Sequence, residues 1–358
     1  MEIIRNSEIE KISEIIKKGG VIVFPTDTVM GIGTYFLNIQ GQKKIYHLKK
    51  RKLEKPLVIF IRDRNELKKF VAHKKLGILR EKIIQNFWPG PLTCIFKSKI
   101  KGGFLWIAKN GTVGVRIPNH PLILEILEKT GPLATTSANI SENPPVKSYK
   151  KIDPFIKREI GYLIPENSYG FPPSTVIDLS EYPFKILRKG PVSIAAIEEL
   201  ILRKVKIDKS ISLNILFVCS GNTCRSPMAA GLLRKYLPYY LRKNVKIKSR
   251  GVNAVPLTPI SENAKRVLEE IGIDLSFHKA KNIDVDTLEW ADFIYVMERR
   301  HFMEISKYGF SEKIRLISNE MEIPDPFGGG IDEYRKILKL LEKPVKKIIK
   351  EIEWRYEV

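Results

Sequence analysis

One stretch, Leu213–Leu237 (LNILFVCSGNTCRSPMAAGLLRKYL), constrains the fold more than any other. Ile215–Val218 is a short apolar run that reads as a buried strand. Cys219–Arg225 follows as a loop of small and polar residues, and Ser226 onward reads as a helix. Ser226-Pro227 supplies the start chemistry, an N-cap hydroxyl and then Pro at the first helical position. Beyond it the pattern predicts a strand at Val245–Ser249, a helix at Ser261–Ile271, a strand at Phe293–Met297 and a helix at Tyr334–Ile352. Strands alternating with helices argue for parallel sheets with crossover helices, in this half and in the half before it.

The loop is C-x5-R, Cys219 to Arg225. Five intervening residues, Ser220, Gly221, Asn222, Thr223 and Cys224, let it curl around a tetrahedral oxyanion with backbone N–H groups inward and a helix N-terminus behind. In that field the Cys219 thiolate is favoured, and its pKa is expected well below the free value of ~8.5. Arg225 suits bidentate binding of equatorial phosphate oxygens. Ser226 suits a hydrogen bond to the thiolate, and Asn222 a left-handed turn. Thiolate attack on phosphorus expels a leaving group that needs a proton. Asp325, in Ile323-Pro-Asp-Pro-Phe-Gly-Gly-Gly330, is the candidate acid; Asp284, Asp286 and Asp292 are fallbacks.

The whole chain has 358 residues, enough for two domains with separate cores. Arg203–Ser212 (RKVKIDKSIS) is polar, so it reads as a linker between residues 1–202 and 213–358. No apolar run reaches the ~18 residues of a membrane span. The N-terminal segment alternates charge and Ile like an amphipathic helix rather than a signal peptide, so a cytoplasmic protein is expected. Three cysteines, Cys94, Cys219 and Cys224, are too few for a disulfide framework, and five scattered histidines have no metal spacing. The net charge of +22 would attract RNA or phosphorylated substrates, but Lys and Arg are spread along the whole length, which favours a compositional origin.

The first half carries polar strings at the ends of apolar runs. In order they are Pro25-Thr-Asp-Thr28 after a strand at Val21–Phe24, Lys49-Lys-Arg51 with Lys55-Pro56 before a strand at Leu57–Ile61, and Phe87-Trp-Pro-Gly-Pro-Leu-Thr-Cys94. Then come Thr112-Val-Gly-Val-Arg116-Ile-Pro118 as a strand, Thr135-Thr-Ser137-Ala-Asn139, Ser174-Thr-Val-Ile-Asp178 and Leu187-Arg188-Lys-Gly190-Pro191. Several cations and hydroxyls at loop ends suit a polyphosphate, and small polar groups beside Arg116 suit an amino-acid carboxylate.

CSGNTCRSP followed by DPFGGG resembles the low-molecular-weight protein phosphatase family. That resemblance implies a small doubly wound parallel sheet, with Cys219 as nucleophile, Arg225 as phosphate binder, Ser226 as thiolate stabiliser and Asp325 as general acid. It implies a reversible protective disulfide between Cys219 and Cys224. Thr223 stands where tyrosine-directed members carry a larger aliphatic residue, and members with Thr there act on phosphoarginine in proteins. A protein-tyrosine phosphatase is the alternative, and a phosphate-sensing module the non-catalytic one. Arsenate reductases of this fold need cysteines downstream of Cys224, and there are none.

The strings of the first half resemble the YrdC-like threonylcarbamoyl-AMP synthase family. The resemblance implies an α/β fold on a twisted, largely open sheet, and a reaction of L-threonine, bicarbonate and ATP that feeds tRNA modification. It assigns threonine contacts to Thr28, Arg116, Thr135 and Ser174. ATP contacts fall to Lys49, Arg51, Lys55, Thr112, Ser137, Asn139 and Arg188, with Mg2+ accompanying ATP, and a threonylcarbamoyl transferase is the expected partner. Met30 and Phe60 depart from the family pattern, at a usual Tyr and at a position where some members place a His. The alternative here is an RNA-binding module without catalysis. A carbamoyltransferase of the hydrogenase-maturation type would need zinc-finger cysteines that are absent.

Overall fold

The apolar run expected as a strand at Val21–Phe24 forms one at Ile22–Phe24, fully buried, and it stops at Pro25 as the sequence requires. The structure is a computed structural model, and it describes residues 2–3, 8–72, 76–100 and 106–357. The chain divides into two compact units, Met1–Val192 and Ser193–Val358.

In the first unit the strands are β1 (Glu2–Ile3), β2 (Ile22–Phe24), β3 (Gly31–Tyr35), β4 (Val58–Phe60), β5 (Leu92–Lys97), β6 (Ala108–Lys109), β7 (Thr112–Arg116), β8 (Leu133–Ser137), β9 (Tyr162–Leu163), β10 (Thr175–Asp178) and β11 (Lys185–Arg188). They line up as β1-β9-β2-β3-β8-β4-β7-β5-β10-β11, with β6 beside β7. The sheet is mixed, which corrects the expectation of a parallel one. β2, β3, β8 and β4 run antiparallel in succession, while β4–β7 and β5–β10 are parallel. The six residues between Phe24 and Gly31 are too few for a crossover, which needs roughly a dozen.

Helix α1 (Ile9–Lys17) buries Ile9, Ile12, Ser13 and Ile16, one face at helical spacing. That face packs on α4 (Pro121–Thr130), through Ile123, Ile126 and Leu127, and on Phe24 and Leu133 of the sheet. Helix α2 (Ile39–Lys49) starts at Asn38, whose side chain accepts from the Gly41 N–H, and ends with Lys50 left-handed. The helices α3 (Ile78–Phe87) and α5 (Pro154–Glu159) complete the unit.

The second unit begins with α6 (Ile194–Ile201) and the short β12 (Lys206–Ile207). Its four-stranded sheet, β14 (Val245–Gly251), β13 (Leu213–Cys219), β15 (Phe293–Val296) and β16 (Ile314–Leu316), is parallel throughout. Leu216 and Val218 face one core with Leu288 of α9 (Val285–Trp290) and Ile305 of α10 (Arg299–Ser306). The opposite face carries α7 (Arg225–Tyr236), against which α11 (Ile331–Tyr356) packs, with α8 (Glu262–Glu269) beside it. Both faces of β13 are covered, so its run is apolar rather than alternating. The last helix runs past both expected ends and through Pro344.

Arg203–Ser212 is not where the units divide. The Val205 N–H donates to Glu198 of α6 at 2.9 Å, the Val205 carbonyl accepts from Arg355 of α11 at 3.1 Å, and the Tyr356 hydroxyl donates to the Ile211 carbonyl at 2.8 Å. Composition made this segment read as a linker, but its backbone groups are tied to α6 and to the C-terminal helix. No helix among the described residues is long and apolar enough to cross a membrane.

Candidate active sites

Cys219 ends β13, and the chain must turn at once because α7 starts at Arg225. The turn uses Asn222 at φ +54°. Its side chain holds the loop from both ends, donating to Ser226 Oγ at 2.9 Å and Ser249 Oγ at 3.0 Å and accepting from the Lys281 N–H at 3.0 Å. His278 Nε2 lies 2.7 Å from the Asn222 carbonyl. A Cβ on Gly251 would come within 2.4 Å of the Ser220 carbonyl, so β14 passes the loop as closely as only glycine allows.

Ser226 is not the N-cap. That position is Cys224, and no side chain caps the helix. The Ser226 hydroxyl instead lies 3.1 Å from Cys219 Sγ. The first turn keeps its N–H groups free for an anion, and a capping side chain would have consumed one of them.

A cavity of about 320 Å³ opens onto the loop, lined among others by Cys219, Ser220, Thr223, Arg225, Asp325 and Phe327. Asp325 is the only one of the four candidate acids to line it. Asp284 caps α9 by accepting from the Thr287 N–H, Asp286 lies in the first turn of that helix, and Asp292 accepts from the Asn214 N–H. Arg225 is 1% exposed. It pairs with Glu298 and Asp325, and also donates to the Ile323 carbonyl at 2.9 Å and Ser220 Oγ at 3.1 Å. Cys224 Sγ lies 3.2 Å from Ser261 Oγ and 3.5 Å from the Tyr334 hydroxyl, and all three cysteines are free thiols.

The thiol departs from expectation. Burial pushes the Cys219 thiol up; the Ser226 hydroxyl, the Arg225 charge and the Ser226 and Asn222 N–H groups oppose it. The carboxylates of Glu298 and Asp325 pair with the Arg225 guanidinium and offset part of its charge. Glu298→Gln is therefore expected to lower the Cys219 pKa, because removing a negative charge beside Arg225 strengthens the positive field on the thiolate. The rate of inactivation by iodoacetamide against pH would then reach its midpoint at lower pH than in the parent chain. Sequence reasoning missed Glu298, and with it His301, Ser249 and His278. The signal present was Glu298-Arg-Arg-His301 immediately after a buried strand.

In the first unit, strand pairing brings distant strings together. Thr135 of β8 faces Gly33 of β3 and Val58 of β4, and Arg116 of β7 faces Phe60 of β4. Arg116, 4% exposed, donates to Asp27 at 2.6 Å, Thr28 Oγ1 at 3.2 Å and the Gly90 carbonyl at 2.9 Å. Arg188 donates to the carbonyl and hydroxyl of Ser174, at 2.9 and 3.0 Å, and Ser174 Oγ lies 2.9 Å from Thr93 Oγ1. A Cβ on Gly190 would meet the Pro173 carbonyl at 2.3 Å, so the turn after Arg188 closes against the Ser174 strand.

Arg51 is fixed by the Lys55 and Pro56 carbonyls, at 2.7 and 2.9 Å. Burial, then the charges of Arg116 and Arg51, lower the Arg188 pKa to about 10. Arg188 thus lies within electrostatic reach of both Arg51 and Arg116, which favours an anion beside it. Lys49 differs from its expected phosphate role. Its ammonium is buried against the carbonyls of Ser137 and Asn139, and burial followed by the Arg51 charge lowers its pKa to about 7. It ties the K-x-R string to the S-x-N string. Thr135 donates to the Val58 carbonyl at 3.0 Å and Thr112 to the Lys109 carbonyl at 2.9 Å.

Asn139 Oδ1, Ser141 Oγ and Asp27 Oδ2 are buried without a hydrogen-bond partner. Unpaired buried oxygens of this kind suit a bound ligand. Among the described residues no cluster of three His, Cys, Asp or Glu side chains could hold a metal ion by itself. Neutral oxygens such as Asn139 Oδ1 fit Mg2+ that arrives on a polyphosphate and keeps most of its water.

The family model Sua5_yciO_yrdC, described as "Telomere recombination", matches residues 14–190, and the model for low molecular weight phosphotyrosine protein phosphatase matches residues 214–357. A Methanocaldococcus jannaschii protein bearing a threonylcarbamoyl-AMP synthase name is 35% identical over 196 residues, 53% of this chain and 91% of its own. A protein-arginine-phosphatase of Geobacillus stearothermophilus is 37% identical over 147 residues, 39% of this chain and 95% of its own. The crystal structure of P. abyssi Sua5 complexed with L-threonine shares the fold, with a TM-score of 0.55 at 21% identity over 89% of this chain and 100% of that one. The chain belongs to the Sua5/YrdC family through its first half and to the low-molecular-weight phosphatase family through its second, both of them enzyme families.

Proposed function

We propose that this chain is a bifunctional enzyme. Its first unit forms threonylcarbamoyl-AMP and pyrophosphate from L-threonine, bicarbonate and ATP for tRNA modification. Its second removes phosphate from phosphoarginine in proteins.

For the phosphatase, the observation that carries the reading is Cys219, Thr223, Arg225 and Asp325 around one cavity. Cys219 Sγ attacks phosphorus, a P–S bond forms and the P–N bond to the guanidine breaks. Asp325 gives its proton to the departing nitrogen, then takes one from the water that cleaves the cysteinyl phosphate. Arg225 leaves its carboxylates to hold the equatorial oxygens. The Geobacillus relative's name and the Thr223 side chain on the cavity wall favour phosphoarginine over phosphotyrosine. The test is kcat/KM on a phosphoarginine protein against a phosphotyrosine peptide. Phosphoarginine is expected to lead by about 100-fold, and Thr223→Ile to remove most of that lead, a difference of about 2.7 kcal/mol in transition-state binding. A phosphotyrosine lead in the parent chain would refute the specificity.

For the synthase, the reading rests on Arg188 within electrostatic reach of Arg51 and Arg116, with Thr28 bonded to Arg116 and Ser174 to Arg188. Threonine carboxylate is assigned to Arg116 and the hydroxyls of Thr28, Thr135 and Ser174. The ATP phosphates are assigned to Arg51, Lys55, Ser137 and Arg188, with Thr112 nearby. Lys49 supports Ser137 and Asn139 from behind. Asn139 Oδ1, buried without a partner, would hold Mg2+ that arrives on the polyphosphate, and the ion would supply charge neutralisation there. Positioning and charge neutralisation carry most of such a reaction, so no protein nucleophile is required. Pyrophosphate release that depends on both threonine and bicarbonate tests the reading.

A further inference from the structure

We propose that His301 fixes the hydroxyl of Ser220 as a hydrogen-bond donor to the phosphoryl group in the phosphatase cavity. The inference rests on the phosphatase reading and adds two residues to its machinery, Ser220 as a phosphoryl contact and His301 as a positioning residue.

The backbone N–H of Glu298 donates to His301 Nδ1 at 3.2 Å, as part of the reciprocal cap at the start of α10. A ring nitrogen that accepts carries no proton, so in neutral imidazole the proton sits on Nε2. His301 is 1% exposed, and burial followed by the Arg225 charge lowers its pKa to about 4. The ring is therefore neutral wherever a thiolate exists.

Nε2 lies 3.0 Å from Ser220 Oγ and, carrying the proton, donates to it. Arg225 Nη2 donates to the same oxygen at 3.1 Å. A hydroxyl has two lone pairs and one proton. Both lone pairs of Ser220 are occupied, one by the imidazole and one by the guanidinium. Its O–H remains, and Ser220 lines the cavity with Cys219 and Arg225. A phosphoryl oxygen held by Arg225 sits beside the donor that the same guanidinium polarises. Two donors into one oxygen also make its own proton a stronger donor. The other hydroxyl beside the thiol, Ser226, faces Cys219 Sγ and the Arg250 carbonyl, so it serves the nucleophile.

The test uses the full chain with para-nitrophenyl phosphate and with orthovanadate as a phosphoryl mimic. Ser220→Ala is expected to lower kcat by about 10- to 100-fold, with KM changed less than about threefold, and to weaken vanadate binding. His301→Leu should lower kcat similarly, and His301→Gln, which keeps a donor near the Nε2 position, should recover most of it. In a Ser220→Ala background His301→Leu should cost nothing further, since the two act as one unit. A kcat unchanged by Ser220→Ala would overturn the inference, as would multiplying losses in the double variant, which mark His301 as structural only. If the parent chain shows no hydrolysis that Cys219→Ser removes, the phosphatase reading fails and takes this inference with it.

Discussion

Cys219→Ser is expected to lower phosphatase kcat on the order of 10⁴-fold or more while leaving threonine-dependent pyrophosphate release unchanged. The loss is large because the thiolate is the only atom at the loop centre that can displace a phosphoryl group near neutral pH. A serine hydroxyl ionises far less readily, and no base stands beside it. Ser226 is 3.1 Å away, but its single proton faces Cys219 Sγ or the Arg250 carbonyl, and neither makes the hydroxyl a nucleophile. Independence of the other activity follows from the chemistry. The synthase residues all belong to the unit Met1–Val192, and no cysteine stands among them. Initial rates of both reactions on one preparation give the answer. Residual hydrolysis above about 1% would mean that another residue is the nucleophile.

Arg116→Ala is expected to abolish pyrophosphate release and to destabilise the first unit by about 3–5 kcal/mol. Arg116 and Asp27 are both almost fully buried, at 4% and 5% side-chain exposure, and 2.6 Å apart. Removing the cation strands a carboxylate whose second oxygen already has no partner. It also frees Thr28 and the Gly90 carbonyl. The melting temperature of the first unit should drop by roughly 10 °C. Arg116→Met combined with Asp27→Asn removes both charges, and should recover much of the stability while recovering none of the activity. A double variant that regains activity would show that Arg116 holds the loop and never touches substrate.

Much of this was legible in the chain itself. A seven-residue interval from Cys219 to Arg225, with a buried strand before it and Pro227 behind it, dictates an anion-binding loop whatever surrounds it. Local rules suffice there, because strand, turn and helix start all lie within one short segment. Ile9, Ile12 and Ile16 likewise declared the buried face of α1 by spacing alone. Pro25 and the short interval to Gly31 also held the information that β2 and β3 form an antiparallel pair, although strand–helix alternation had suggested otherwise.

Other features depend on residues far apart in sequence, and only the fold decided them. Arg225 meets Glu298 and Asp325 across 73 and 100 positions, and burial at the end of β13 raises the Cys219 pKa against the lowering effect of the Arg225 charge. Lys49 looked like a phosphate ligand, yet the sheet buries it against the Ser137 and Asn139 carbonyls. Arg203–Ser212 has the composition of a linker, but its Val205 N–H donates to Glu198, and long-range hydrogen bonds from Arg355 and Tyr356 anchor it. Residue type and spacing determined which chemistry each half carries, because reactive groups and loop shapes are local properties. Protonation, charge pairing and the boundary between units belong to the tertiary structure, because they depend on burial and on partners that only folding brings into range.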